Sequence, residues 1–249
     1  MTKYLLRIEY DGSPFFGWQR QNDVATVQGA IEDALRKMHG GPVTLYGAGR
    51  TDTGVHATGQ AAHVELRDDF PQRKVADALN FHLRPDPIAV LSADVVPEDF
   101  HARFDATERR YRYIIENRRA DLTLDYGKAW RVAQKLDQDA MHRAAQYLIG
   151  LHDFSTFRDV QCQAKSPVKT LDDITVSRYG SRLEVTVRAR SFLHRQVRSI
   201  VGSLVEVGRG VQSEAWISKI LEAKDRKSCG PVAPCDGLYL EDVIYERLS

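Results

Sequence analysis

Between residues 4 and 10 apolar and polar side chains alternate, Leu6, Ile8 and Tyr10 against Leu5, Arg7 and Glu9, which is the period-two pattern of a strand. Asp11-Gly12-Ser13-Pro14 then marks a turn, and Phe15, Phe16 and Trp18 cluster before the period changes. From Thr26, whose hydroxyl suits an N-cap, Val27, Ala30, Ile31, Ala34, Leu35 and Met38 recur on one helical face until Gly40-Gly41-Pro42 stops the helix. A strand over 43–46, a glycine-bearing loop over 47–59 and a strand over 60–66 follow, the last with Ala62, Val64 and Leu66 on one side. Residues 71–81 read as helix and 88–96 as strand. The first half therefore runs βαββαβ.

The second half repeats that order. Residues 109–116 alternate as a strand, with Tyr111, Tyr113 and Ile115 on one face. Met141, Ala144, Ala145 and Leu148 place a helix over 138–148, strands follow over 169–177 and 183–189, and Val197, Ile200, Val201, Leu204 and Val207 mark a helix over 194–207. A shorter helix over 214–221 and a strand over 238–245 close the chain. The pattern predicts an α+β fold of two similar βαββαβ-type domains, 1–104 and 105–249, each an antiparallel sheet backed by helices, with an active-site cleft expected between them. They join near 99–107, where no strong periodicity crosses.

Composition narrows the class without changing the fold. With 249 residues, 43% hydrophobic and 28% charged, the chain suits one large globular domain or two small ones. The opening residues are interrupted at once by charge and lack the apolar core of a signal peptide. The weakly polar run near 199–204 is too short to span a bilayer. Cys162, Cys229 and Cys235 form no CxxC pair and are odd in number, which supports neither a disulfide framework nor a zinc site and points to a reducing, cytoplasmic setting. A net charge of +1 argues against a dedicated nucleic-acid binder, but its distribution argues the other way. Six arginines against three acids lie between 103 and 119, and seven against two between 178 and 209. Such runs are either solvated faces or an electrostatic footprint for RNA.

The loop over 47–59 carries the candidate chemistry. It is far longer than a hairpin turn requires, and sets Arg50, Asp52 and His56 among small residues. Gly47 and Gly49 begin a G-x-G, but Asp52 stands where the third dinucleotide-binding glycine belongs, and no Gly-Lys-Ser/Thr follows. Any chemistry here belongs to Asp52; the plain alternative is a solvated loop with an Arg50–Asp52 ion pair. Tyr111 could line a site or be an ordinary half-buried sheet aromatic. Arg198, among Val197, Ile200 and Val201, either snorkels to the surface or pairs with a carboxylate from another loop. His56 and His194 lack companions at ligand spacing, so no metal site is expected.

Ala48-Gly49-Arg50-Thr51-Asp52-Thr53-Gly54-Val55-His56 resembles the signature of tRNA pseudouridine synthases of the TruA type. The resemblance continues through Glu9-Tyr10-Asp11-Gly12, Gly17-Trp18-Gln19-Arg20, Phe100-His101-Ala102-Arg103-Phe104, Arg109 to Tyr113, His152-Asp153-Phe154, Phe192-Leu193-His194, Arg198 to Gly202 and Gly237-Leu238-Tyr239-Leu240. Thr53 departs from the Ala common in the family and leaves Asp52 in place. The resemblance implies a homodimer that isomerises uridines at positions 38, 39 and 40 of the tRNA anticodon arm, by base flipping and without cofactor or metal. It implies that Asp52 is the essential carboxylate, that Arg198 pairs with it, and that Tyr111 stacks on the target base. It further implies that Arg50 holds the flipped state, that Thr51 and His56 lie beside the substrate, and that Arg103, Arg110 and Arg112 contact phosphates. Two other readings stay open at this point. One is a non-catalytic RNA-binding module, although Arg110-Tyr111-Arg112-Tyr113 lacks the Gly-Phe pattern of such modules. The other is a sugar hydrolase, although the loop lacks the second carboxylate.

Overall fold

The computed structural model describes residues 1–67 and 70–248, and the side chains of all these except Arg247. In chain order the elements are β1 (Thr2–Tyr10), α1 (Val27–His39), β2 (Tyr46–Gly47), β3 (His56–Leu66), α2 (Gln72–Leu83), β4 (Ile88–Val95), β5 (Glu108–Glu116), β6 (Trp130–Arg131), α3 (Gln138–Gln146), β7 (Gly150–Asp153), β8 (Val168–Leu171), β9 (Asp173–Tyr179), β10 (Arg182–Ala189), α4 (Gln196–Gly208), α5 (Trp216–Ala223) and β11 (Leu238–Ile244). They gather into two compact units, one of residues 1–107 with the C-terminal residues from Tyr239, the other of Glu108–Leu238.

In the first unit β1 lies between β4 and β3 and is antiparallel to both, while β11 runs parallel to β3 on its far side. The alternation in β1 buries Leu6 and Ile8 completely, with Ile31 and Leu35 of α1, Val64 and Leu66 of β3, and Val75 and Leu79 of α2. Thr26 caps α1 as its sequence predicts, its Oγ1 accepting from Gly29 N at 3.2 Å, and Gly40 closes the helix. The strand expected over 43–46 contracts to the two residues of β2, and that expected over 60–66 starts four residues earlier, at His56. His56 and Ala57 find backbone partners at Tyr10, Tyr239 and Leu240, remote positions that local periodicity does not reveal. For the same reason the C-terminal strand, read as part of the second half, pairs with β3 of the first unit.

The second unit is an antiparallel β5-β10-β9 sheet, with β6 running parallel to the end of β5 and a separate β7-β8 hairpin. Tyr113 and Ile115 of β5, Val185 of β10, Met141 of α3, and Ile200 and Leu204 of α4 are fully buried. The single strand expected over 169–177 is two. Asp172 interrupts it by donating its N–H to Arg188 O at 2.9 Å. This unit therefore adds β6 and β7 to the order read from the sequence and splits one expected strand into β8 and β9, while the helix expected over 214–221 is present as α5. No helix among the described residues is long and apolar enough to cross a membrane.

Candidate active site

In the first unit, the segment joining β2 to β3 is held from both ends and in the middle. Ala48 N donates to Ala61 O (2.8 Å), Gln60 Nε2 to Gly49 O (3.0 Å), Trp18 N to Thr51 O (3.0 Å), Gly54 N to Phe15 O (3.3 Å) and Val55 N to Asp52 O (3.1 Å). The motif Gly17-Trp18 thus serves as a rail for the Asp52 loop. Gly17 has φ +88°, and a Cβ there would lie 2.7 Å from Thr51 O, so only glycine lets the two backbones meet. Asp52 itself is partly exposed, and Arg50 and Thr53 project to the surface. A carboxylate on such a braced but open loop can act on a ligand without moving its support.

Thr51 and His56 point inward instead. Thr51 is buried, its Oγ1 2.8 Å from Tyr10 OH. His56 is 1% exposed and stacks on Tyr239 with centroids 4.8 Å apart. Its Nδ1 lies 3.0 Å from Gly12 N and 3.1 Å from Asp11 Oδ1. Nδ1 accepts from Gly12 when it is bare and donates to Asp11 when it carries a proton, in either the neutral Nδ1–H tautomer or the cation; the one atom does not do both. Either bond ties β3 to the 11–14 turn.

In the second unit, Tyr111 sits on β5 opposite Val187, 9% exposed, its ring edge-on to Phe192 at 5.1 Å. Arg198 lies in the first turn of α4. That helix starts abruptly: Arg195 has φ +58°, Gln196 Oε1 accepts Leu193 N at 2.8 Å, and Asp159 takes Arg195 NH1 at 3.0 Å. Burial works against charge on Asp159, but the Gln161 N–H, Arg195 and His194 outweigh it and hold its carboxyl below the usual range. Arg198 is aimed by a strap, residues 231–234: Arg198 Nε donates to Ala233 O at 2.8 Å and Ala233 N to Arg198 O at 3.1 Å. Tyr113 OH anchors the same strap at Pro234 O, 2.8 Å away, and burial raises that phenol well above its ordinary range, leaving it a fixed donor. The sequence reading missed this strap; Pro231 and Pro234, bracketing Ala233, were its available signal.

The arginines of β5 are divided by strand alternation. Arg110 and Arg112 lie on the face opposite Tyr111, although they flank it in sequence. There they meet acids: Arg110 NH2 is 3.1 Å from Glu108, Arg112 NH1 3.9 Å from Glu184, and Arg188, directly across from Arg110, contacts Glu108 at 3.5 Å and Asp173 at 3.4 Å. The stripe is locally balanced rather than a bare cationic surface. Arg103, in the first unit, is exposed beside the Phe104 ring. Among the described residues no group of three His, Cys, Asp or Glu side chains is gathered to hold a metal.

Residues 7–105 and 144–246 match the family model described as tRNA pseudouridine synthase. The chain is 63% identical to tRNA pseudouridine synthase A of Hyphomonas neptunium, over 98% of this chain and 99% of that one. It is 60% identical to the protein of that name from Maricaulis maris, over 98% of both, and 57% identical to that of Bradyrhizobium diazoefficiens, over 98% of this chain and 100% of the other.

Proposed function

Because the chain belongs to the tRNA pseudouridine synthase family, and so isomerises uridine in tRNA, we propose that Asp52, Arg198 and Tyr111 carry the reaction, on uridines at positions 38 to 40 of the anticodon arm. The observation that carries this reading is the braced Asp52 loop, a partly exposed carboxylate within the first stretch that matches the family model, held by five backbone and side-chain bonds.

Isomerisation breaks the C1′–N1 bond, joins C1′ to C5, releases the C5 proton and places a proton on N1, with no net change in atoms. An ionised carboxylate serves whether it attacks the ribose or the ring, or removes a ribose proton. To Arg198 we assign the pairing with that carboxylate that the family resemblance implies, and to Tyr111 the covering of the base once it has left the stack. Arg50 steadies the extruded nucleotide. Thr51 and His56 act on the loop's shape and not on the base, given their burial. Arg103 meets phosphate; Arg110 and Arg112, tied to acids on the far face of β5, have no role at the target base. The enzyme works in the cytoplasm as a homodimer, one tRNA reaching both subunits, and needs no cofactor. Carbodiimide mapping of an unmodified tRNA transcript checks this reading. Wild type should mark the 3′ side of the anticodon arm, while Asp52→Asn should bind tRNA and leave no mark. Marks elsewhere in the tRNA, or a fully active Asp52→Asn, would refute it.

A further inference from the structure

On the first unit an aromatic cluster breaks the surface beside β2. Tyr46 and Phe104 are 50% and 67% exposed, yet neither ring is loose. Tyr46 stacks on buried His63 at 4.9 Å and 12°. His101 bridges the group, its ring centroid 4.6 Å from His63, 5.8 Å from Tyr46 and 4.3 Å from Phe104. The backbone beneath is fixed: Ala102 N donates to His63 Nδ1 (3.1 Å), His101 N to Asp105 Oδ2 (2.9 Å), Arg103 N to His101 Nδ1 (3.1 Å), and Tyr245 OH to Ala102 O (2.7 Å). Arg103 Cζ lies 5.9 Å from the Phe104 ring centre.

We propose that Tyr46, His101 and Phe104 form a stacking platform that takes an unpaired nucleobase of the tRNA other than the uridine being isomerised. The proposal rests on tRNA as substrate. Rings already held in place lose little freedom on binding, and every base presents a π-face to them. Single-stranded RNA is recognised by stacking on aromatic and histidine rings with a cation close by for phosphate, which is the chemistry assembled here. The platform is three side chains wide, the footprint of a base or two rather than of a protein partner. Burial keeps both imidazoles below their ordinary pKa, so that they present neutral rings at pH 7.

The test is equilibrium binding of an unmodified tRNA transcript to Tyr46→Leu, Phe104→Leu and Phe104→Tyr, with the oligomeric state followed by sedimentation. Each Leu variant should bind about 5- to 100-fold more weakly, with the slope of log Kd against log salt unchanged and kcat at saturating tRNA retained. Phe104→Tyr should restore the affinity. Unaltered binding by both Leu variants would overturn the platform while wild-type isomerisation continued, which separates this failure from failure of the tRNA reading. Equal loss in Phe104→Tyr, or a Leu variant that falls to monomer at wild-type affinity, would also overturn it, the latter assigning the patch to a second copy of the chain.

Discussion

Gly17 shows how one residue type without a side chain sets the position of the loop that carries Asp52, the carboxylate proposed to react. Adding a methyl group there combines a positive φ with a 2.7 Å approach to Thr51 O and 3.2 Å to the Asp52 carbonyl carbon. Gly17→Ala should therefore cost roughly 1–3 kcal/mol in urea unfolding and lower kcat more than it raises KM; wild-type stability would contradict the close approach. His63 makes a second prediction at this scale. Burial first, then His101 and Lys3, lower its pKa from 6.5 to about 4, against the opposite pull of Glu65 and Asp105. The unfolded chain gains a proton near pH 6.5 that the folded chain refuses until about pH 4. Stability from this group is thus complete above pH 6.5 and falls as the pH drops toward 4, by on the order of 1–3 kcal/mol. His63→Gln should flatten that part of the slope between pH 7 and 4.5; identical slopes would show that His63 titrates normally. Gly17 and Asp52 stand in recognisable motifs, so their pairing was within reach of the sequence. The environment of His63 was not, since its neighbours Tyr46 and His101 are 17 and 38 residues away.

At the scale of elements, α4 and the 231–234 strap form one device for aiming Arg198. Gly202 permits it: a Cβ there would fall 1.7 Å from Pro231 O. Glycine inside a helix ordinarily weakens it, so its presence here reflects the strap and not helix propensity. Gly202→Ala should destabilise the protein by about 2–3 kcal/mol and cut pseudouridine formation more than tenfold, as unfolding midpoints and initial rates would show. Little change in either would mean that the strap does not set Arg198. The period-3.6 run of apolar residues made α4 plain from sequence, and Thr26 and Gly40 bounded α1 correctly. Elements defined by partners far along the chain were the ones misjudged. β3 gains its first residues from pairing with β1 and β11, and the four-residue β7 lacks the length for a periodic signal.

For the whole molecule, two stretches match the family model and 106–143 lies between them. Tyr111 falls in that gap, so its role rests on the Arg109–Tyr113 resemblance and on its place in β5. The central claim is that Asp52 drives exchange of a carbon–nitrogen for a carbon–carbon glycosidic bond in tRNA. Since only that exchange expels the hydrogen at C5, tritium release from tRNA transcribed with 5-tritiated uridine reads it most directly. Wild type should liberate tritium to water and Asp52→Asn none, with equal tRNA binding by both. Release at the wild-type rate from Asp52→Asn would contradict the account.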